Sequence, residues 1–373
     1  MSLARASTPA LIGLAVVAVI SYAVAERSVQ PVHAEAYRKK IEAVRLVERA
    51  ERAILAAKRE RGIAIDTHND PARCGVVGPQ FTLITTDRGS QSAKALAAHP
   101  NFAGAIAQML LQGGVGPGDL VAVGMTGSLP GLNLAVLAAC RATGAEPIVI
   151  TSLGASMFGA TDPEFTWLDM ERVVNDEGLW PSRSVAASLG GGGDVGRGLS
   201  PAGRQLLLDS IERNGVRLLQ GETVLDAVKE RLAVYDSVAA ARGRPIRLYV
   251  NVGGGIASLG GAQNGHLIPA GYTRRLERKS YPNRGVINVL SDRGLPIVHL
   301  LHVEALARQY DITDASGAIG RPGTGLLFIK YRYNLWIVAG AMALVLALNT
   351  VVLRLDLRHK LLGQPHPERD PLT

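Results

Sequence analysis

Gly118–Ala135 reads GDLVAVGMTGSLPGLNLA. Four apolar residues, Leu120–Val123, are followed by a short run of glycine and hydroxyl side chains, GMTGS, and then by a helical pattern from Pro130 to Thr143. A short apolar run bounded by glycine has the length and composition of a buried strand. Pro130 suits the first turn of the helix because its missing N–H has no helical partner there anyway. The stretch therefore predicts a strand, a tight loop and a helix, with the loop at the strand's carboxyl end.

The same grammar recurs on both sides. Pro147–Ile150 leads into TSLGASMFGATD and a helix from about Pro163 to Asn175. Ser184–Ala187 leads into SLGGGGDVGRG and a helix from about Pro201 to Asn214, and Ile246–Val250 leads into NVGGGIASLGG. A last apolar run, Leu295–Leu301, precedes a helix over His302–Tyr310. Strands alternating with helices predict an α/β domain over 79–325, a doubly wound, mostly parallel sheet covered on both faces. In such sheets ligands bind beyond the carboxyl ends of the strands. The candidate ligand-binding residues are accordingly Thr126, Gly127, Ser128, Ser152, Gly154 and Ser156, with Asn251, Gly253, Gly254 and Gly255 completing the rim. Glycines let a ligand approach the backbone, and hydroxyls and helix-start N–H groups favour an anion. Ser128 is equally suited to capping the helix at Pro130. No lysine or arginine stands in the first two loops, which favours a single carboxylate over a triphosphate; Arg197 is the nearest cation in sequence. Asp162 is expected to cap a helix carrying Glu164 and Asp169. These acids either complement the helix dipole or form a carboxylate pair for proton transfer or cation binding.

Outside this domain the chain changes character. Pro9–Ala25, PALIGLAVVAVISYAVA, carries no charge and has the length of a short membrane span; Ala23-Val24-Ala25 also fits a signal-peptidase site. Leu335–Leu353 is again uncharged, with Tyr331, Tyr333 and Trp336 at its entry and Arg354, Arg358 and Lys360 at its exit, the distribution of a second span. Residues 1–8 form a tail before the first span, and 354–373 a basic polar tail after the second. Residues 33–61, rich in Ala, Glu, Lys and Arg, are expected to form a helical stalk leaving the membrane, or an amphipathic helix for an interface or partner. The Lys and Arg near the spans are more numerous on the domain side, which points to a cytoplasmic domain; the signal-like first segment points to an extracytoplasmic one.

The net charge is +8, but the basic residues are dispersed and aromatics make up only 5%, which argues against nucleic acid. The two cysteines form no CxxC or zinc spacing, so no metal site is predicted, and Cys140, within LAACRA, reads as a core residue. His299 and His302 sit in an apolar stretch and read as core histidines. No Walker lysine, GxGxxG at the first loop, GxSxG elbow or HExxH is present, so no cofactor and no catalytic residue is assigned.

The runs ITTDRGS (Ile84–Ser90), GDLVAVGMTGSLPGLNLA, SLGASMFGATDPEFTWLDM (Ser152–Met170), NVGG (Asn251–Gly254) and GLPIVHLL (Gly294–Leu301), together with the N-terminal span, resemble the poly-gamma-glutamate system protein family over nearly the whole chain. The resemblance implies a bacterial cell-membrane, two-pass accessory protein that works with other membrane subunits of the synthesis and export machinery and handles an anionic polymer; an exported polymer would meet such a domain outside the cytoplasm. Locally, Leu120–Thr151 looks like the core of sugar isomerase (SIS) domains, although the serine those loops usually carry near Met125 is absent. That likeness implies a phosphosugar-binding or isomerase-type alternative. A hydrolase or ligase acting on glutamyl substrates is the other enzymatic alternative.

Overall fold

The computed structural model describes residues 8–277, 279–314 and 317–362. The chain divides into two units, one of the terminal segments Met1–His33 and Ile329–Thr373, the other of Ala34–Phe328.

In the terminal unit, helix α1 (Thr8–Arg27) packs on the long C-terminal helix Leu335–Leu362, and strand β1 (Gln30–His33) pairs antiparallel with Ile329–Arg332. The Tyr333 hydroxyl donates to Glu26 Oε2 at 3.0 Å. Two 20-residue helices, Thr8–Arg27 and Leu335–Arg354, are long and apolar enough to cross a membrane, and their apolar windows are only 6% and 0% buried. A helix that apolar in a water-soluble core would be mostly covered. The C-terminal helix continues through Leu362, so residues 354–362 of the expected tail are helical, while 1–7 and 363–373 lie outside the described residues.

In the larger unit the chain runs through α2 (Tyr37–Glu60), β2 (Thr85–Asp87), α3 (Gln91–Ala97), α4 (Asn101–Gln112), β3 (Leu120–Thr126), α5 (Pro130–Thr143) and β4 (Glu146–Ser152). It continues with β5 (Ala155–Ser156), α6 (Trp167–Asp176), β6 (Ser184–Ser188), α7 (Pro201–Arg213), β7 (Arg217–Leu218), α8 (Val224–Ala241) and β8 (Ile246–Val252). The last elements are α9 (Ile256–Leu259), α10 (Asn264–Leu267), β9 (Gly271–Thr273), α11 (Val286–Asp292), β10 (Ile297–Leu300) and α12 (Val303–Gln309). Seven strands form one sheet in the order β7-β6-β4-β3-β8-β10-β9, parallel except for the antiparallel β9 edge.

β3 lies between β4 and β8, and all seven of its residues are buried, which is why it reads as an unbroken apolar run. Alternate residues of the central strands (Leu120, Ala122, Ile148, Ile150, Tyr249) join Val228 and Tyr235 of α8 and Val286 and Leu290 of α11 in one core. Helix α5 packs on β3 and β4, and α2 and α4 pack on α5. After β3 the chain moves to one side through β4, β6 and β7, then returns to β8 on the other side of β3. The order reverses between β3 and β8.

Residues 33–61 do not form a free stalk. Helix α2 buries Ala43, Val47, Ala50 and Ile54, a stripe at helical spacing, against α4 and α5. Its Lys40 ammonium donates to Gln108 Oε1 (2.6 Å) and to the Leu327 carbonyl (3.0 Å). Polar residues at solvent-like frequency on one face disguised a helix whose other face belongs to the domain.

Candidate functional site

A cleft of about 540 Å³ opens at the carboxyl edge of the sheet, where the strand order reverses. Thr126 and Ser128 line it from the end of β3, Ser152, Gly154 and Ser156 from the end of β4, and Gly253, Gly254 and Gly255 from the end of β8. These eight of the sequence-derived residues are brought together because parallel strands deliver their outgoing loops to one edge. The Thr126 hydroxyl is buried at the cleft with no hydrogen-bond partner among the described residues. Glycine is required at position 253: its φ is +84°, and a Cβ there would run into Thr126 Oγ1.

The other four candidates lie elsewhere. Gly127 stands behind the wall, its N–H bonded to the Ser152 carbonyl (2.9 Å), and a side chain there would collide with the Leu153 carbonyl. It shapes the loop but does not line the cleft. Asn251 is buried beneath the floor and donates to the Gly253 carbonyl (2.8 Å), with His299 Nδ1 at 2.9 Å. His299 is buried as expected; desolvation, then the neighbouring His302, pushes its pKa down to about 4. Neither Asp162 nor the expected pair of Glu164 and Asp169 lines the cleft. Glu164 is exposed, and Asp162 accepts from the Glu164 N–H in a turn. Thr166, not Asp162, caps α6, in a capping box with Asp169. Asp169 is fully buried and bound by Arg213 (2.6 Å), which gives it a structural task. Ser128 does not cap α5 either; its Oγ accepts from the Ser156 N–H at 3.0 Å.

Cations converge on the cleft, contrary to the expectation drawn from its first two loops. Arg88 enters from the turn between β2 and α3, Lys94 from α3 itself, and Arg197 from the glycine loop; Asp87 and Glu304 add acidic edges. The β2 strand pairs parallel with β5, setting Asp87 opposite Ser156, and this places α3 beside the β4 loop. Ser90 caps α3, accepting from the Ala93 N–H at 3.2 Å. Lys94 is 8% exposed; its ammonium donates to Ser156 Oγ (2.7 Å) and to the Ser128 carbonyl. Among the described residues no carboxylate pairs with it, and burial holds its pKa down to about 8.

The glycine loop, Gly190–Arg197, forms another wall and is held by a buried cation. Arg231 of α8, 4% exposed, donates to Asp194 Oδ2 (2.6 Å), Ser188 Oγ (2.7 Å) and Ser152 Oγ (3.0 Å), and Ser152 Oγ donates to Asp194 Oδ1 (2.9 Å). A flexible surface loop in sequence is thus a wall tied to two strands.

No family model, curated protein or solved structure matches this chain. The functional argument therefore rests on the cleft itself. Sequence reasoning missed Arg88 and Lys94, although the first lies within the ITTDRGS run and the second just after it, because the segment carries no strand–glycine–helix signature of the kind that marked the other loops. Cys74 and Cys140 are free, buried thiols. No group of three or more metal-ligating side chains occurs among the described residues.

Proposed function

We propose that this is a two-pass cell-membrane protein whose α/β domain, wound on both sides of its sheet and held between two transmembrane helices, binds an anionic carboxylate ligand of glutamyl type. In this reading it serves as an accessory subunit of a poly-gamma-glutamate synthesis or export system, with the domain on the extracytoplasmic side. Two spans put both termini on one side of the bilayer. The observation that carries the ligand class is the convergence of Lys94, Arg88 and Arg197 with the hydroxyls of Thr126, Ser128 and Ser156 on one cleft at the point where the strand order reverses. Cations and oriented hydroxyl donors recognise an oxyanion, and charge-assisted hydrogen bonds are the stronger kind.

Calorimetry of the full chain in detergent tests this. Glutamate oligomers are expected to bind, with affinity lost in Arg88→Ala and Lys94→Met. Binding of a sugar phosphate but not of glutamate oligomers would replace this reading with the SIS-like one. Binding of neither would overturn both. Reporter fusions at about Gly221 test the side; activity confined to a cytoplasmic reporter overturns the extracytoplasmic placement.

A further inference from the structure

Lys94 and Ser156 have a relationship that anion binding does not require. A lysine that only attracts an anion gains by standing in water with its charge intact. This one is buried, has no carboxylate partner among the described residues, and spends one of its hydrogen bonds on a serine hydroxyl 2.7 Å away. Ser156 is half-buried and lines the cleft, so its hydroxyl reaches both the amine and a bound ligand. Its main chain is fixed twice, by its N–H donating to Ser128 Oγ and by the pairing of β5 with β2. A hydroxyl placed between an uncompensated amine and an open cleft has the geometry of an activated nucleophile and its base.

We propose that Ser156 and Lys94 form a serine–lysine catalytic pair that cleaves an amide bond in a carboxylate-bearing ligand of this cleft. The proposal rests on reading the cleft as the ligand site. In the first step Ser156 Oγ bonds to the amide carbonyl carbon and its proton passes to the neutral Lys94 amine. The carbon–nitrogen bond then breaks, and the leaving amine takes that proton from Lys94. Water attacks the resulting ester, giving a proton to Lys94; the carbon–Oγ bond breaks, Ser156 regains its proton, and the acyl part leaves as a carboxylic acid. No oxidant or metal is needed. Arg88 and Arg197, both lining the cleft, hold the free carboxylate. The lowered pKa of Lys94, about 8, makes the neutral amine accessible in mildly alkaline solution. The other charged groups on the cleft are Asp87 and Arg88 on the segment before α3, Arg197 on the glycine loop and Glu304 on α12.

The experiment is active-site labelling of the full chain in detergent with an alkyl fluorophosphonate, whose phosphorus bonds to an activated serine as fluoride leaves. Peptide mass mapping is expected to place the adduct on Ser156. The labelling rate should rise with pH through about 8, and fall about 100-fold or more in Lys94→Met, the scale of a lost general base. Should Lys94→Met misfold, the wild-type pH profile and Lys94→Arg, whose guanidinium stays protonated, carry the same test. An adduct on Ser156 with that pH profile supports the pair. No adduct on Ser156 in folded wild type, or labelling indifferent to pH and to Lys94, overturns it. Calorimetry of the wild type with glutamate oligomers separates the two proposals. Binding without any adduct leaves a pure binding cleft and overturns the pair; an adduct without glutamate binding supports the pair and removes the glutamyl reading.

Discussion

The two walls of the cleft each rest on a buried cation, and the two cations live under different terms. Arg231 is 4% exposed and meets a carboxylate, Asp194, at 2.6 Å, with two serine hydroxyls taking further hydrogen bonds. Lys94 is 8% exposed and, among the described residues, meets a carbonyl and a hydroxyl only. A buried ion pair is a fastening, and breaking it leaves an uncompensated charge. A buried ammonium without a counter-charge costs stability, and it shifts toward neutrality instead. The glycine wall is therefore built to stay put. The Lys94 corner is a place where the fold tolerates an unfavourable group, and such places collect at functional sites.

The largest expected effect comes from breaking the fastening. Arg231→Met should destabilise the protein by about 3–5 kcal/mol, because Asp194 is left buried and unpaired. Urea titration in detergent, followed through the buried Trp167 and Trp180, measures it. A loss below about 1 kcal/mol would mean that the wall does not depend on the pair.

The next tests the other cation through pH. The folded-state pKa of Lys94, about 8, lies below its ordinary value of 10.5, so between these values the unfolded chain binds more protons and stability rises with pH. Lys94 should thus contribute a gain of at most about 3 kcal/mol between pH 8 and 10.5, seen as the difference between wild type and Lys94→Met. At pH 7 the methionine variant should be no less stable than wild type. A variant several kcal/mol weaker at pH 7, with no pH-dependent difference, would make Lys94 a fastening like Arg231.

The smallest effect on stability belongs to Arg88, exposed at the cleft mouth. Arg88→Ala should change stability by less than about 0.5 kcal/mol while weakening glutamate-oligomer binding. A stability loss matching the affinity loss would indicate that the loop, rather than the charge, was removed.

Much of the sheet is legible along the chain. Helix α5 has the bounds that its pattern predicts, Pro130–Thr143, because proline and Gly144 punctuate it. Strands β3, β4, β6 and β8 each run one to three residues beyond their apolar cores, since buried polar residues such as Thr151, Ser152 and Asn251 continue the pairing. Helices α4 and α8 gave no strand-loop-helix signal and went unread. Helix α6 starts at Trp167 rather than near Pro163, because the Thr166–Asp169 capping box outweighs the proline.

The sequence by itself determined two things about this protein: that both ends carry uncharged segments of membrane-spanning length, and that glycine- and hydroxyl-rich loops follow the central strands. Both are local properties, set by hydropathy and by backbone freedom over a few residues. Only the tertiary structure decided that α2 is a wall of the domain, that the glycine run is pinned by Arg231 from a helix 37 residues away from Asp194, and that Lys94 stands beside Ser156, 62 residues on. Those are pairings between distant segments, and composition is blind to them. The β2–β5 pairing is what brings the last of these together, and two short strands of ordinary sequence carry no sign of which partner each will find.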